Sequence, residues 1–160
     1  MIEYIGNEIT YLLPGELLAT ASPVKISTIL GSCVAVCLFD REKKIGGMNH
    51  YLLPYNKNND PLRNRYGDTS LEDLLEQIIR IGAVKNHLKA RVYGGSSMFG
   101  NEATGYNIGE QNVAIALDFL RKNNIKINAI ETGGKKGRKI IFDTSAGVIS
   151  STFLRENHYE

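Results

Sequence analysis

Ser27-Thr28-Ile29-Leu30-Gly31-Ser32-Cys33-Val34-Ala35-Val36-Cys37-Leu38-Phe39-Asp40 sets a thiol at a Gly-Ser turn between two apolar runs. Both runs read as strands, and a turn between them lifts Cys33 to the rim of a sheet, where a substrate has access. Cys37 falls mid-strand, with no turn to expose it. His50 follows Cys33 in Gly46-Gly47-Met48-Asn49-His50-Tyr51-Leu52-Leu53, which reads as the returning arm of a hairpin that bends at Arg41-Glu42-Lys43-Lys44. The hairpin brings the imidazole back toward the thiol.

A thiol attacks as its thiolate, a form that is only a few per cent populated at neutral pH when the pKa is near ~8.5. A histidine that takes the proton removes this handicap and can later protonate a poor leaving group such as ammonia; such acid–base help is worth ~10²- to 10⁴-fold. A third group must orient the ring. No carboxylate flanks the pair, but Ser27 and Thr28 lie on the strand feeding the turn, and either hydroxyl has the reach to meet the far ring nitrogen. Gly31 lets backbone N–H groups point at a developing oxyanion. The chemistry implied is acyl transfer through a thioester.

Other readings of these residues carry less. A free cysteine in an apolar strand is commonly a small core residue. A zinc site built on Cys33 and Cys37 lacks a turn between its thiolates and further ligands nearby, so no metal and no cofactor are expected. Lys135-Lys136-Gly137-Arg138-Lys139 is not a phosphate-binding loop and has no interleaved aromatics, so it reads as a solvated turn rather than a nucleic-acid site. His87 and His158 sit in polar surroundings and read as exposed and uninvolved.

Along the chain, Ile9 to Leu13 and Val24 to Leu30 read as strands, and the Asn/Asp/Pro-rich stretch from Tyr55 to Asp68 as a long loop of a kind that is often functional. Thr69-Ser70-Leu71-Glu72 has capping-box spacing ahead of an amphipathic helix through Leu71, Leu74, Leu75, Ile78 and Ile79 that Gly82 ends. Leu88 to Tyr93 alternates like a strand and runs into Gly94-Gly95-Ser96-Ser97. Asn107 caps a second helix whose apolar face is Val113, Ala116, Leu117 and Leu120. Gly109 inside it suggests a close backbone approach. Strands follow at Ile125 to Ile130, Arg138 to Phe142 and Val148 to Phe153. The pattern predicts an α/β or α+β fold with a mixed sheet.

The sequence has 160 residues, 42% of them hydrophobic, which is enough for one globular domain over 1–160 with a full core. A net charge of +2 gives no argument for a nucleic-acid or membrane partner. The first residues lack a signal-peptide pattern and no apolar run reaches the ~20 residues of a membrane span, so a cytoplasmic protein without membrane insertion is expected. The two cysteines are four apart on one strand, roughly 13 Å at ~3.3 Å per residue, and therefore free thiols.

Leu30-Gly31-Ser32-Cys33-Val34-Ala35-Val36-Cys37-Leu38 and Gly46 through Pro54 resemble the CheD family of chemotaxis proteins, the chemoreceptor glutamine deamidases. The likeness continues through Val92-Tyr93-Gly94-Gly95-Ser96-Ser97-Met98-Phe99, Asn107-Ile108-Gly109-Glu110-Gln111-Asn112-Val113 and Thr132-Gly133-Gly134-Lys135-Lys136-Gly137-Arg138-Lys139. The resemblance implies a cysteine hydrolase that converts receptor glutamines to glutamates, in some members also cleaving glutamyl methyl esters. It implies Cys33 as nucleophile, His50 as base and Ser27 as the orienting hydroxyl, where the family usually has threonine. Gln111 stands where the family usually has arginine. A layered α/β/α sandwich similar to the deamidating toxins is implied, as are two partners: the receptors' cytoplasmic helices and the CheC phosphatase. A non-catalytic docking partner of CheC and receptors, or a hydrolase of small amides, are the competing expectations.

Overall fold

In the computed structural model, which describes residues 9–97 and 107–155, the run from Val34 to Asp40 is a strand buried on both faces. Its residues alternate: Val34, Val36 and Leu38 join one apolar cluster, and Ala35 and Cys37 join another. A strand with no polar face needs a layer on each side, and the chain supplies both.

The strands are β1 (Ile9–Tyr11), β2 (Leu17–Thr20), β3 (Lys25–Leu30), β4 (Val34–Asp40), β5 (Ile45–Asn49), β6 (Leu88–Gly94), β7 (Lys126–Thr132), β8 (Arg138–Asp143) and β9 (Val148–Phe153). The helices are α1 (Gly67–Arg80) and α2 (Ile108–Lys122). One sheet has the order β2-β5-β4-β6-β7 and the other β1-β3-β8-β9. Each is mixed, with one parallel pair, β6 with β7 and β1 with β3. The β6-α2-β7 unit is thus a parallel crossover built on α2.

Leu71, Leu74 and Ile78 of α1 and Ala116 and Leu120 of α2 pack on the Val34/Val36/Leu38 face of the five-stranded sheet, together with Leu88, Ala90 and Val92 of β6. Ile26 and Leu30 of β3 and Ile140 and Phe142 of β8 cover the other face against Ala35, Cys37 and Met48. The α+β class and mixed pairing agree with the sequence pattern. The layers run helices, sheet, sheet: a second sheet occupies the side where an α/β/α sandwich carries helices.

The β4–β5 hairpin forms with Cys37 opposite Met48 and Asp40 opposite Ile45. Both helices form, with Asn107 Oδ1 accepting the Glu110 N–H at 3.0 Å as the cap of α2. The expected capping box is not made. α1 begins three residues earlier, after the extended Tyr66, and Thr69 inside its first turn donates its hydroxyl to Arg63 O at 2.6 Å. β2 was not anticipated, because Leu17–Thr20 is short and half-buried and takes its register from β5, with Ala19 opposite Gly47. The Met98-Phe99 end of the Gly-Gly segment and His158 lie outside the described residues. No helix among the described residues is long and apolar enough to cross a membrane.

Candidate functional site

The turn Gly31-Ser32-Cys33 joins β3 of one sheet to β4 of the other, so Cys33 sits where the two sheets meet at one end of the molecule. Ser32 is exposed, and Cys33 is half-buried against the inter-sheet cluster. Past the end of β5, Val34 and Tyr51 exchange both backbone hydrogen bonds, Val34 N to Tyr51 O at 3.1 Å and Tyr51 N to Val34 O at 3.0 Å. That register puts Leu52 opposite Cys33 and His50 opposite Ala35. Cys33 and His50 therefore project from the same face as diagonal cross-strand neighbours, a relation that spans about 7–8 Å and lies within reach of long side chains.

His50 is buried, at 2% exposure. Its backbone is held from the outer side by the Pro14-Gly15-Glu16 loop, through His50 N to Glu16 O at 3.1 Å and Gly15 N to His50 O at 2.8 Å. Its ring reaches across the gap between the sheets, and Nδ1 lies 2.7 Å from Thr28 Oγ1 on β3. The Thr28 hydroxyl also donates to Leu12 O at 2.6 Å. Because that bond uses the only hydroxyl proton, Thr28 must accept from Nδ1–H. The imidazole is thereby held in the tautomer whose Nε2 carries a free lone pair. Nε2 is buried and has no hydrogen-bond partner among the described residues, Cys33 Sγ included.

Burial dominates the acid–base state of both groups. It pushes the His50 pKa down to about 4, against weaker opposing contributions from the Glu16 carboxylate and the Leu12 backbone. It pushes the Cys33 thiol up, offset in part by the residue's own backbone N–H. Both shifts favour the thiol and the neutral imidazole as the resting forms at neutral pH. Cys37 is buried in the inter-sheet core with its pKa raised by desolvation, as befits an inert core residue.

The Cys33 turn is fastened on every side. Gly95 N donates to Cys33 O at 2.8 Å and Ser96 N to Gly31 O at 2.9 Å. A side chain at Gly94, whose φ is +110°, would collide with the Cys33 carbonyl oxygen. From α2, the buried Asn112 donates through Nδ2 to Ser32 O at 3.0 Å and to Leu52 O at 2.9 Å. Gly109 lies one turn earlier against the Gly95 and Ser96 carbonyls, the close backbone approach that a glycine in this helix suggested.

A family model described as CheD chemotactic sensory transduction matches residues 52–152. The chain belongs to the CheD family. A probable chemoreceptor glutamine deamidase CheD of Trichlorobacter lovleyi is 42% identical over 151 residues, covering 93% of this chain and 94% of the relative. The Rhodospirillum rubrum protein of the same name is 44% identical over 138 residues, 86% of this chain and 77% of its own length. That of Methanococcus vannielii is 35% identical over 137 residues, 85% and 89% of the two chains. A crystal structure of a Neisseria meningitidis protein of the DUF152 family model superposes on 80% of this chain and 63% of its own, with TM-score 0.42 and 13% identity, too distant to bear on function.

In this CheD-family chain, the hydroxyl within hydrogen-bond distance of the His50 ring is that of Thr28 and not that of Ser27. Successive residues of a strand point to opposite faces; Thr28 shares the inward face of Ile26 and Leu30, whereas Ser27 points away with Ile29, and its buried hydroxyl has no partner among the described residues. His87 is likewise not free. Its Nδ1 lies 3.2 Å from both oxygens of the buried Asp40 and its Nε2 lies 2.5 Å from Glu42, because Asp40 pairs with Leu88 and brings the start of β6 against the hairpin turn. Asn112 was missed as a site residue. Its signal was legible: with Gly109, Ala116 and Leu120 it falls on the buried stripe of α2, a polar residue at an apolar position.

A cavity of about 490 Å³ opens between the sheets near Phe39, Arg41, His87, Arg91 and Phe142. On β4 it is lined by Cys37 and Phe39, four to six residues or roughly 13–20 Å from Cys33, away from the turn that carries that thiol. No cluster of metal-ligating side chains occurs among the described residues.

Proposed function

We propose that this protein deamidates glutamine side chains of chemotaxis receptors, with Cys33 as nucleophile, His50 as general base and acid, and Thr28 as the group that holds the ring. One observation carries this reading: the buried His50 ring is fixed by Thr28 in the tautomer that leaves Nε2 unprotonated, on the same face as the only half-exposed thiol among the described residues. The relatives' names supply the substrate class.

Cys33 Sγ bonds to the side-chain amide carbon while its proton passes to Nε2. The tetrahedral intermediate then collapses, the C–N bond breaks, and the nitrogen leaves as ammonia with the proton from Nε2. Water attacks the resulting thioester with its proton taken by Nε2, the C–S bond breaks, and the thiol and a glutamate are released. A neutral imidazole suits this sequence, since each half begins with proton acceptance. The amides of Ser32 and Cys33, which donate to no backbone carbonyl among the described residues, are left to serve as oxyanion donors.

The test is mass spectrometry of a purified receptor cytoplasmic fragment incubated with the protein, where each exchange of NH2 for OH adds about one dalton. Cys33→Ala should abolish the gain and Cys37→Ala should leave it. Binding of the fragment with no mass gain would favour a docking role, and activity surviving in Cys33→Ala would refute the nucleophile assignment.

A further inference from the structure

We infer that Asn112 is a positioning residue that sets the distance between the Cys33 thiol and the His50 ring, an assignment that rests on the deamidase reading of this site. Asn112 has no exposure and lies on the buried stripe of α2, where every neighbour one turn away is apolar or glycine. A buried carboxamide costs stability, the more so here because Oδ1 has no hydrogen-bond partner among the described residues, so the two bonds that Nδ2 makes have a task that leucine or alanine does not perform.

Its bonds identify that task. The two hydrogens of Nδ2 go to two carbonyls: Ser32 O, at the peptide preceding Cys33, and Leu52 O, on the residue opposite Cys33 and two beyond His50. One side chain therefore bridges the segment carrying the nucleophile and the segment carrying the base, at the place where β4 and β5 have lost their ladder. Between the Val34–Tyr51 and Cys37–Met48 pairs that ladder is interrupted, and Asn49 Oδ1 takes the Val36 N–H in its place. Beyond Val34 and Tyr51 each segment is held to other parts of the chain, Cys33 O by Gly95 N and Leu52 N by Arg65 O, and the Asn112 side chain ties the two to one another.

The helix that carries Asn112 is itself held to both partners. Tyr51 donates its hydroxyl to Asn112 O at 2.6 Å, and Gly109 rests on the Gly95 and Ser96 carbonyls, whose own amides bond Cys33 O and Gly31 O. The first turns of α2 thus form a brace across the mouth of the site. The Asn112 side chain bonds backbone carbonyls and not His50 Nε2, so Asn112 acts through its backbone partners.

Asn112→Asp keeps the shape and removes both donors. It should lower kcat for receptor-fragment deamidation by about 10²-fold, the scale on which a misplacement of about 1 Å acts, with KM little changed. Ile78→Val, a core truncation in α1 away from Cys33, serves as the control for lost stability and should retain kcat. Tyr51→Phe removes a single anchor of the brace and should fall between them, which keeps the test open if Asn112→Asp does not fold. The second readout needs no receptor: the pH profile of Cys33 alkylation by iodoacetamide should shift in Asn112→Asp and Tyr51→Phe and not in Ile78→Val. Equal effects of Tyr51→Phe and Ile78→Val on both readouts would overturn the assignment. If the wild type deamidates nothing, the deamidase reading fails, while the alkylation profile still decides whether Asn112 sets the site.

Discussion

Replacing Thr28 with valine would remove one oxygen and nothing else of consequence in volume, and the structure states what that oxygen does. It donates to Leu12 O at 2.6 Å and accepts from His50 Nδ1 at 2.7 Å, both inside the protein. Each neutral hydrogen bond contributes about 0.5–1.5 kcal/mol net, and leaving the Leu12 carbonyl without this partner adds to the loss, so Thr28→Val should destabilise the fold by about 2–3 kcal/mol. The kinetic effect is separate. A ring no longer held at Nδ1 samples the wrong tautomer and orientation, and a fall in kcat of about 10- to 100-fold, or about 1.4–2.7 kcal/mol of barrier, is expected. Thr28→Ser restores the oxygen and should recover most of the rate. Ser27→Ala deletes a buried hydroxyl with no partner among the described residues and should leave the rate intact with stability unchanged or slightly raised. The assay is single-turnover deamidation followed by mass spectrometry, at a temperature where thermal melts show every variant folded. Loss of activity in Ser27→Ala with retention in Thr28→Val would refute the tautomer reasoning and return the orienting role to the neighbouring residue.

The remaining expectations concern pH and the backbone at the turn. With the His50 pKa held to about 4, the acid limb of kcat/KM should lie near that value and not near the ordinary imidazole value of 6.5. The same shift makes stability pH-dependent: between about 6.5 and about 4 the unfolded chain binds a proton that the folded chain refuses. Stability should therefore fall by about 3 kcal/mol as pH drops across that window, and denaturant titrations of His50→Gln should show a flatter profile. Because burial raises the Cys33 thiol, its alkylation should keep accelerating above pH 9, with Cys37 slower throughout; a plateau reached below neutrality would contradict the neutral resting pair. Gly94→Ala places a methyl group into the Cys33 carbonyl at a positive φ, so it should lower the melting temperature and depress the rate, measured by calorimetry and by the same deamidation assay.

Much of the fold is written in local pattern. The alternation and length of the run from Val34 to Asp40, the three-four spacing of Leu71, Leu74 and Ile78, and the Asn107 cap depend on residues within a few positions of one another, so strand, hairpin and helices can be read from the chain alone. The proposed nucleophile and base are equally legible, since a Gly-Ser turn half-exposes Cys33 and one hairpin returns His50 to the same face. Three things belong to the tertiary structure. The helix-sheet-sheet order follows from how β3 and β8 come to cover the inner face of β4, a long-range pairing that no local rhythm specifies. The choice between Ser27 and Thr28 is a matter of which face of β3 meets the other sheet, and a shift of one residue would reverse it. The neutral state of the site and the brace from Asn112 arise because groups distant in sequence, on β3, β5 and α2, are brought together away from water, where burial and a few fixed hydrogen bonds outweigh the intrinsic chemistry of each residue.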